Sequence, residues 1–251
     1  MEQEQGEIKV KSLVKAIRLL ECFSATRPAI GISEFSAMLG YNKATVYNIA
    51  STFVSLGYLT QDPETAKYSL GLKLLQFSYL INKQSGLSSA LIPYLQEIAD
   101  RTKETVYLGI PYGDNVLYLS TRTPAATIPR TILGEKAPMY CTGLGKCLLA
   151  FMPAAKRPVL PEAFPAFTAN TITDRVRLLE EIDHIRERGY AIDNMEHEFG
   201  ISCVAVPVFG VTKEPVAAVS VSGPSLRFDL SSIEHIAATA KAVLEKVQYL
   251  Y

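Results

Sequence analysis

The sequence predicts an α+β chain: an N-terminal winged helix-turn-helix, a linker helix, and a C-terminal domain of mixed α/β structure. Three observations predict it. Gly31 to Leu70, GISEFSAMLGYNKATVYNIASTFVSLGYLTQDPETAKYSL, holds two helical patterns parted at Gly40 and Tyr41, then two short extended runs around a polar turn. Leu72 to Lys83, LKLLQFSYLINK, is apolar on more than one side and needs cover on more than one side. Beyond Ser85-Gly86, strands follow in mixed order with helices at the ends. The expected division is a disordered tail over 1–8, a DNA-binding domain over 9–71, a linker or dimerisation helix over 72–85, and a second domain over 86–251.

In chain order, Lys11 to Phe23 places Leu13, Ile17 and Leu20 on one helical stripe, widened by Val14, Ala16 and Phe23. Pro28 and Gly31 break the chain before Ser33, which is expected to begin the second helix. Asn42 caps the third helix and Gly57 stops it. Val46, Ile49, Phe53 and Leu56 recur at spacings of three and four, so they share one face of a helix turning about 100° per residue. The opposite face carries Lys43, Ala44, Tyr47, Asn48 and Ser51, residues that donate, accept or make close apolar contact at base edges. With Thr45 in the first turn and Lys67 in the wing, these are the candidate DNA-contacting residues. An ordinary solvated helix face is the alternative. The wing is the pair Tyr58-Leu59-Thr60 and Lys67-Tyr68-Ser69-Leu70 around Asp62-Pro63-Glu64.

The helix from Leu72 to Lys83 either packs against its own domains or pairs with its twin in a dimer, and a connector with few neighbours in its own chain favours the second. A helix near Ser88 to Arg101 tolerates Pro93 in its early turns. Strands follow at Glu104 to Ile110 and Val116 to Ser120 about a Tyr112-Gly113-Asp114-Asn115 turn, then a loop with Pro124 and Pro129 and a strand near Arg130 to Leu133. Thr142 caps the helix GLGKCLLAFM, which Pro153 ends, and Thr173 is expected to cap a helix reaching about Arg188. Three strands, Ala191 to Asp193, Ser202 to Phe209 and Val216 to Ser222, precede a last helix from Ser231 to about Tyr249.

Composition bounds the function. The 25 basic and 25 acidic residues cancel, so no global charge attracts nucleic acid. From Ile8 to Leu70, Lys9, Lys11, Lys15, Arg18, Arg27, Lys43 and Lys67 outnumber Glu21, Glu34, Asp62 and Glu64 by only three. A domain so weakly basic makes few phosphate contacts, so useful affinity requires two or more copies acting together, and an oligomer is expected. The four cysteines, Cys22, Cys141, Cys147 and Cys203, show no CxxC spacing and suit a reducing compartment. Every apolar run is interrupted short of the roughly 18 residues of a membrane span, and the polar start MEQEQGEI reads as a frayed tail rather than a signal or transit peptide. A cytoplasmic protein without membrane partner or cofactor is expected.

Four stretches, KATVYNIASTFVSLGYL, YSLGLKLL, KAPMYCTGLGKCLLAFMP, and RERGYAIDNMEHEFGISCVAVPVFG with AAVSVSGPSLR, carry a resemblance to the isocitrate lyase regulator (IclR) family of bacterial transcription regulators, from Val10 to Val247. The resemblance implies a GAF-like effector-binding second domain. It also implies a homodimer or dimer of dimers on a palindromic operator in double-stranded DNA, with DNA binding adjusted by a small molecule such as an organic acid. Two positions depart from the family's habit: Asn48 where it commonly has Arg, and Tyr140-Cys141 where it usually has His-Ala. The family's effector pocket maps onto Gly143, Leu144, Asp193, Ile201, Cys203, Ser220 and Ser222, with Met139 on its wall. That set suits a hydroxy acid or sugar acid. The helix opened by Thr142 and Gly143 offers unpaired N–H groups to a carboxylate, and Ser220 and Ser222 leave one face of a strand together. Asp193 would accept from a ligand hydroxyl or be held protonated.

Other readings stay open. Cys203, His197 and Asp193 have the residue types of a catalytic triad, but a Cys within SCVAVPVF is more often a buried hydrophobe, and no catalytic residue is assigned. The same three side chains could serve a metal or redox sensor, while Cys141 and Cys147 fit no zinc spacing, and no metal ligand is assigned. Gly143-Leu144-Gly145-Lys146 fails the phosphate-loop spacing. The second domain could also serve only to dimerise the chain.

Overall fold

The computed structural model describes residues 9–24, 26–84, 86–124 and 132–247. The expected tail over 1–8, the strand start at Arg130 and the helix end at Tyr249 lie outside them. The chain divides into two compact units, Met1–Ser85 and Gly86–Tyr251.

The first unit holds α1 (Lys11–Leu20), β1 (Ala29–Ile30), α2 (Ile32–Leu39), α3 (Lys43–Ser55), β2 (Leu59–Gln61), β3 (Tyr68–Leu70) and α4 (Lys73–Gln84). Strand β3 pairs antiparallel with both β2 and β1, so the wing is a three-stranded sheet whose third strand is the short Ala29–Ile30 run between two chain breakers. Leu19, Ile30, Phe35, Val46, Ala50, Leu59 and Tyr68 form its core. Asn42 caps α3 through Oδ1, which accepts from the Thr45 N–H at 2.8 Å. The far end is a Schellman closure: Tyr58 N–H donates to Phe53 O and Gly57 N–H to Val54 O, each at 2.9 Å, with Gly57 at φ +81°, where a side chain would be strained.

Two expectations for this unit change. Helix α2 begins at Ile32 from Gly31, whose N–H donates to the Glu34 carboxylate at 2.6 Å, so Ser33 lies inside the first turn and caps nothing. On α1 only Leu19 is buried, while Leu13 (59% exposed) and Ile17 (46%) face outward with Val10. Leu20 and Phe23 of the expected stripe do pack against the unit's core, so the stripe splits: its C-terminal end is taken up and Leu13 and Ile17 are left outside. Helix α4 exposes Leu75, Tyr79, Leu80 and Ile81, and Leu72 just before it is exposed too, while Phe77 stacks on Tyr58 with ring centroids 6.1 Å apart.

The second unit holds α5 (Leu87–Thr102), β4 (Thr105–Tyr112), β5 (Asn115–Arg122), β6 (Lys136–Pro138), α6 (Gly143–Phe151), α7 (Arg175–Arg188), β7 (Ala191–Asn194), β8 (Ile201–Phe209), β9 (Pro215–Pro224) and α8 (Leu230–Leu244). Its strands form one antiparallel sheet in the order β6-β5-β4-β9-β8-β7. Successive side chains on a strand point to opposite faces. Val106, Leu108, Val204, Val206, Val219 and Val221 accordingly pack with Leu95 and Ile98 of α5 and Ile236 and Ala240 of α8. Tyr107, Ala205 and Ala218 join α6 and α7 on the other face, around Leu144, Cys147, Leu148, Leu178 and Ile182.

Here too the boundaries shift. Asp174, not Thr173, caps α7, its Oδ1 accepting from Arg177 N–H at 2.9 Å; Thr173 O instead accepts from Phe164 N–H at 2.8 Å. Leu133 sits in a turn rather than a strand, and β6 begins at Lys136.

Candidate functional site

The second unit's candidate site lies on the α6 face of the sheet, where the side chains of β8 and β9 are small: Cys203, Ala205, Ser220 and Ser222. Register brings it together: Asp193 stands opposite Cys203, Cys203 opposite Ser222, and Ser222 opposite Thr105, four residues in a row across β7, β8, β9 and β4. The next row on the same face sets Ala205, Ser220 and Tyr107 side by side. Small side chains there leave room for the start of α6. A methyl group on Gly143 would stand 3.4 Å from Cys203 Cβ, 3.5 Å from Ala205 Cβ and 3.7 Å from Asp193 Cβ.

The start of α6 is tightly held. Thr142 Oγ1 donates to Pro138 O at 2.9 Å and accepts from Gly145 N–H at 3.1 Å, so its hydroxyl is fully spent on the cap. The first helical bond is Lys146 N–H to Thr142 O at 2.9 Å, which leaves the N–H groups of Gly143 and Leu144 without intrahelical acceptors. Those donors border a cavity of about 350 Å³ lined also by Asp193, Ile201, Cys203, Ser220 and Ser222. Seven of the eight residues carried over from the family resemblance therefore meet in one place.

Met139 is not among the lining residues: it is 1% exposed, and its Cα would lie 2.2 Å from a methyl group on Gly145, so the turn carrying it is pressed against the first turn of α6. Tyr140 and Cys141 do not line the cavity either: the Tyr140 hydroxyl donates to Pro165 O at 2.7 Å and its ring stacks on Phe164 at 4.4 Å, while Cys141 is fully buried in the α6–α7 core, within reach of the Asp193 charge. The departure from the family's His-Ala is thus a packing change beneath the site.

Residues not foreseen complete the wall. Tyr107 and Tyr118 line the cavity, with ring centroids 5.7 Å apart, and burial pushes the Tyr118 hydroxyl's pKa well up. Arg227 Nη2 donates to Glu104 Oε2 at 2.7 Å at one edge, and a methyl group on Gly223 would come within 2.2 Å of that oxygen. Alternation with Val106 could have assigned Tyr107 to this face. Nothing in the linear order pairs Glu104 with a residue 123 positions away.

The site's electrostatics centre on carboxylates. Asp193 is 4% exposed, and its Oδ1 accepts from Glu196 N–H at 2.7 Å. Burial raises its pKa to about 7, reinforced by the Glu196 charge and opposed by N–H bonds from Glu196 and His197 and by Lys146. Beneath it Lys146, 1% exposed, is paired with Glu196 and lies 3.6 Å from Glu181, which Arg188 holds at 2.6 Å. Burial raises the pKa of Glu196 despite that partner, and its Oε2 has no hydrogen-bond partner among the described residues. Cys203, His197 and Asp193 do border one cavity, but the Cys203 thiol donates to Ser222 Oγ at 3.1 Å and burial pushes its pKa up, the reverse of what a nucleophile needs.

In the first unit, Lys43, Ala44, Tyr47 and Asn48 are exposed together on α3. Thr45 is half-buried with its N–H on the Asn42 cap, and Ser51 is half-buried. Lys67 pairs with Glu34 at 3.3 Å, and the turn it follows carries Asp62 and Glu64.

Comparison with known proteins bears on both units. Residues 12–63 match the IclR helix-turn-helix domain, and residues 81–249 match the family described as bacterial transcriptional regulator IclR C-terminal. The chain is 32% identical over 241 residues to the HTH-type transcriptional regulator KdgR of Escherichia coli, covering 95% of this chain and 91% of that protein. It is 31% identical over 223 residues to the HTH-type transcriptional regulator XynR of the same organism, covering 88% of each. The crystal structure of an IclR transcriptional regulator from Alicyclobacillus acidocaldarius matches with a TM-score of 0.84 at 27% identity, over 95% of this chain and 98% of that one.

Proposed function

The chain belongs to the IclR family of bacterial transcriptional regulators, DNA-binding proteins rather than enzymes, and from that premise we propose that its operator binding is governed by a small hydroxy acid or sugar acid held in the second unit. One observation carries the reading: Gly143 and Leu144, whose N–H groups precede the first intrahelical bond, line a single cavity with Asp193, Ser220 and Ser222. A carboxylate belongs at the helix start, where the dipole and the free donors favour negative charge. Hydroxyls belong against the two serines, whose side chains leave one face of β9.

The DNA side follows from α3. Lys43, Ala44, Tyr47 and Asn48 enter the major groove, and Asn48 reads adenine. Thr45, whose N–H closes the Asn42 cap, and Ser51 are half-buried at the margin of that face. Lys67 and the acidic wing turn supply little phosphate contact, so affinity rests on two copies engaged at once on a palindromic site. The exposed apolar residues of α1 and α4 support a homodimer, or a dimer of dimers, closed by these helices on their twins. Effector in the second unit then shifts the separation of the two recognition helices. No helix among the described residues is long and apolar enough to cross a membrane, in keeping with action in the cytoplasm.

The test is a thermal-shift panel of D-gluconate, D-glycerate, glycolate and benzoate. A ligand at a hundred times its dissociation constant adds about 2.7 kcal/mol of stability, so a hydroxylated acid should raise Tm clearly and benzoate should not. Silence from every hydroxylated acid would sink the reading and favour a domain that only dimerises. For the DNA side, Asn48→Ala should flatten discrimination among operator variants by about 1–3 kcal/mol; unchanged discrimination would remove its assigned role.

A further inference from the structure

The pocket sets the place for the ligand's acid group beside an acid of the protein. The first turn of α6 lies directly over β7 and β8, so that a methyl group on Gly143 would stand 3.7 Å from Asp193 Cβ. Asp193 lines the cavity yet is only 4% exposed, and one of its oxygens is held by Glu196 N–H at 2.7 Å. A carboxylate accepted at the Gly143 and Leu144 N–H groups would therefore sit next to a second carboxylate that is itself almost wholly buried. Two like charges so placed do not both stay ionised.

The cavity wall also carries Arg227, which is engaged by Glu104, and the exposed Lys103 and Lys136, the second lying over the Tyr112 ring. The groups packed on Asp193 itself do not relieve the conflict. From α6 comes Lys146, whose charge is already shared between Glu196 and Glu181. The segment after β7 adds Glu196, His197 and Glu198; β8 brings Cys203, the turn before α6 brings Cys141, and β5 brings Tyr118. Burial holds the two thiols and the phenol in their neutral forms. A proton between the two carboxylates turns repulsion into a hydrogen bond and leaves one negative charge, which the helix start can stabilise.

We propose that the pocket takes up its acid together with one proton, held between the ligand carboxylate and Asp193, so that the regulator reads acid concentration and pH jointly. This rests on the effector reading above. Burial already brings the Asp193 carboxyl to about 7. Below that pH the proton is present before the ligand arrives and affinity is flat. Above it, binding must draw a proton from solvent, and affinity falls by up to about tenfold per pH unit.

Calorimetry on the full chain decides it, titrating D-gluconate, D-glycerate and glycolate between pH 5.5 and 8.5 in phosphate and in Tris, whose different ionisation enthalpies report proton uptake. The expected result is affinity that falls above pH 7 with close to one proton taken up per site at pH 8. Asp193→Asn, which keeps an oxygen for the Glu196 N–H, should bind at pH 8 as tightly as the parent at pH 6 and take up no proton. Flat affinity without proton uptake in the parent would overturn the shared proton while leaving the effector reading intact, and an unchanged pH profile in Asp193→Asn would also overturn it. No heat from any of the three acids at any pH would bring down both readings.

Discussion

On β9, Val219 and Val221 point to α5 and α8, while Ser220 and Ser222 alternate with them and point to α6. The same strands thus build two different materials. One face is a layer of large aliphatic side chains, among which Leu91, Leu95, Ile98, Val106, Leu108 and Val219 are wholly buried. The other face carries small side chains, a buried lysine held by carboxylates, and a cavity. An apolar layer gains by non-directional burial and tolerates no unfilled volume. A polar face gains little net stability from its partners but loses much when one is removed. The comparison teaches that stability and ligand response are assigned to opposite sides of one sheet by the two-residue period of its strands.

The polar face is where a single change should hurt most. Lys146→Met leaves Glu196 and Glu181 facing each other without their buried cation, and breaking such a pair costs about 3–5 kcal/mol. The pH dependence has a definite sign. Without Lys146 the Glu196 carboxyl titrates higher still in the folded state than in the unfolded chain, so the folded state binds the extra proton. Stability is then regained at low pH and lost as pH rises through the raised value. Urea midpoints at pH 5 and pH 8 should therefore diverge more in Lys146→Met than in the parent. Adding Glu196→Gln should restore much of the loss at pH 8; a double variant no better than the single would break the account of this face.

The apolar face should behave in the opposite way. Leu108→Ala opens a cavity between β4 and the α5–α8 layer and should cost about 2–5 kcal/mol. Its cost should be the same at pH 5 and pH 8, because no titrating group changes its surroundings. The shift caused by a bound acid should survive in full. A Leu108→Ala protein that kept its stability but lost its ligand response would erase the distinction between the faces.

Much of this arrangement was legible in the sequence, for local reasons. Asn42 and Thr142 are caps whose side chains act on residues three positions away, so residue type and spacing suffice. Ser220 and Ser222 share a face because strands have period two. What the sequence left hidden is set by packing between distant segments. Nothing local told that the stripe of Leu13 and Ile17 on α1 would face away from the unit's own core. Met139 and Tyr140 stand within four residues of Gly143, but the turn they occupy is pressed against the first turn of α6, and their side chains join the core. The Arg227 to Glu104 pair and the row joining Asp193, Cys203 and Ser222 depend on strand register, which no window of the sequence contains.

The smallest expected change is the most informative about the polar face. Ser220 is 3% exposed, lies between Ala205 and Tyr107 in its row, and borders the cavity. Replacing it with Ala keeps the backbone ladder and nearly the same volume, so the unfolding midpoint should move by less than about 1 kcal/mol. If its hydroxyl meets a ligand hydroxyl, the variant loses one hydrogen bond of about 0.5–1.5 kcal/mol and binds the acid a few-fold more weakly. The stabilisation by D-gluconate should fall accordingly, while the pH dependence of binding stays as in the parent, since that belongs to Asp193. A Ser220→Ala protein with unaltered affinity would move the ligand's hydroxyls off β9 and toward the Glu104 and Arg227 edge. An altered pH profile would instead show that the serine and the carboxylate act as one unit, and the polar face would have to be treated as a single network rather than as a helix start with separate partners.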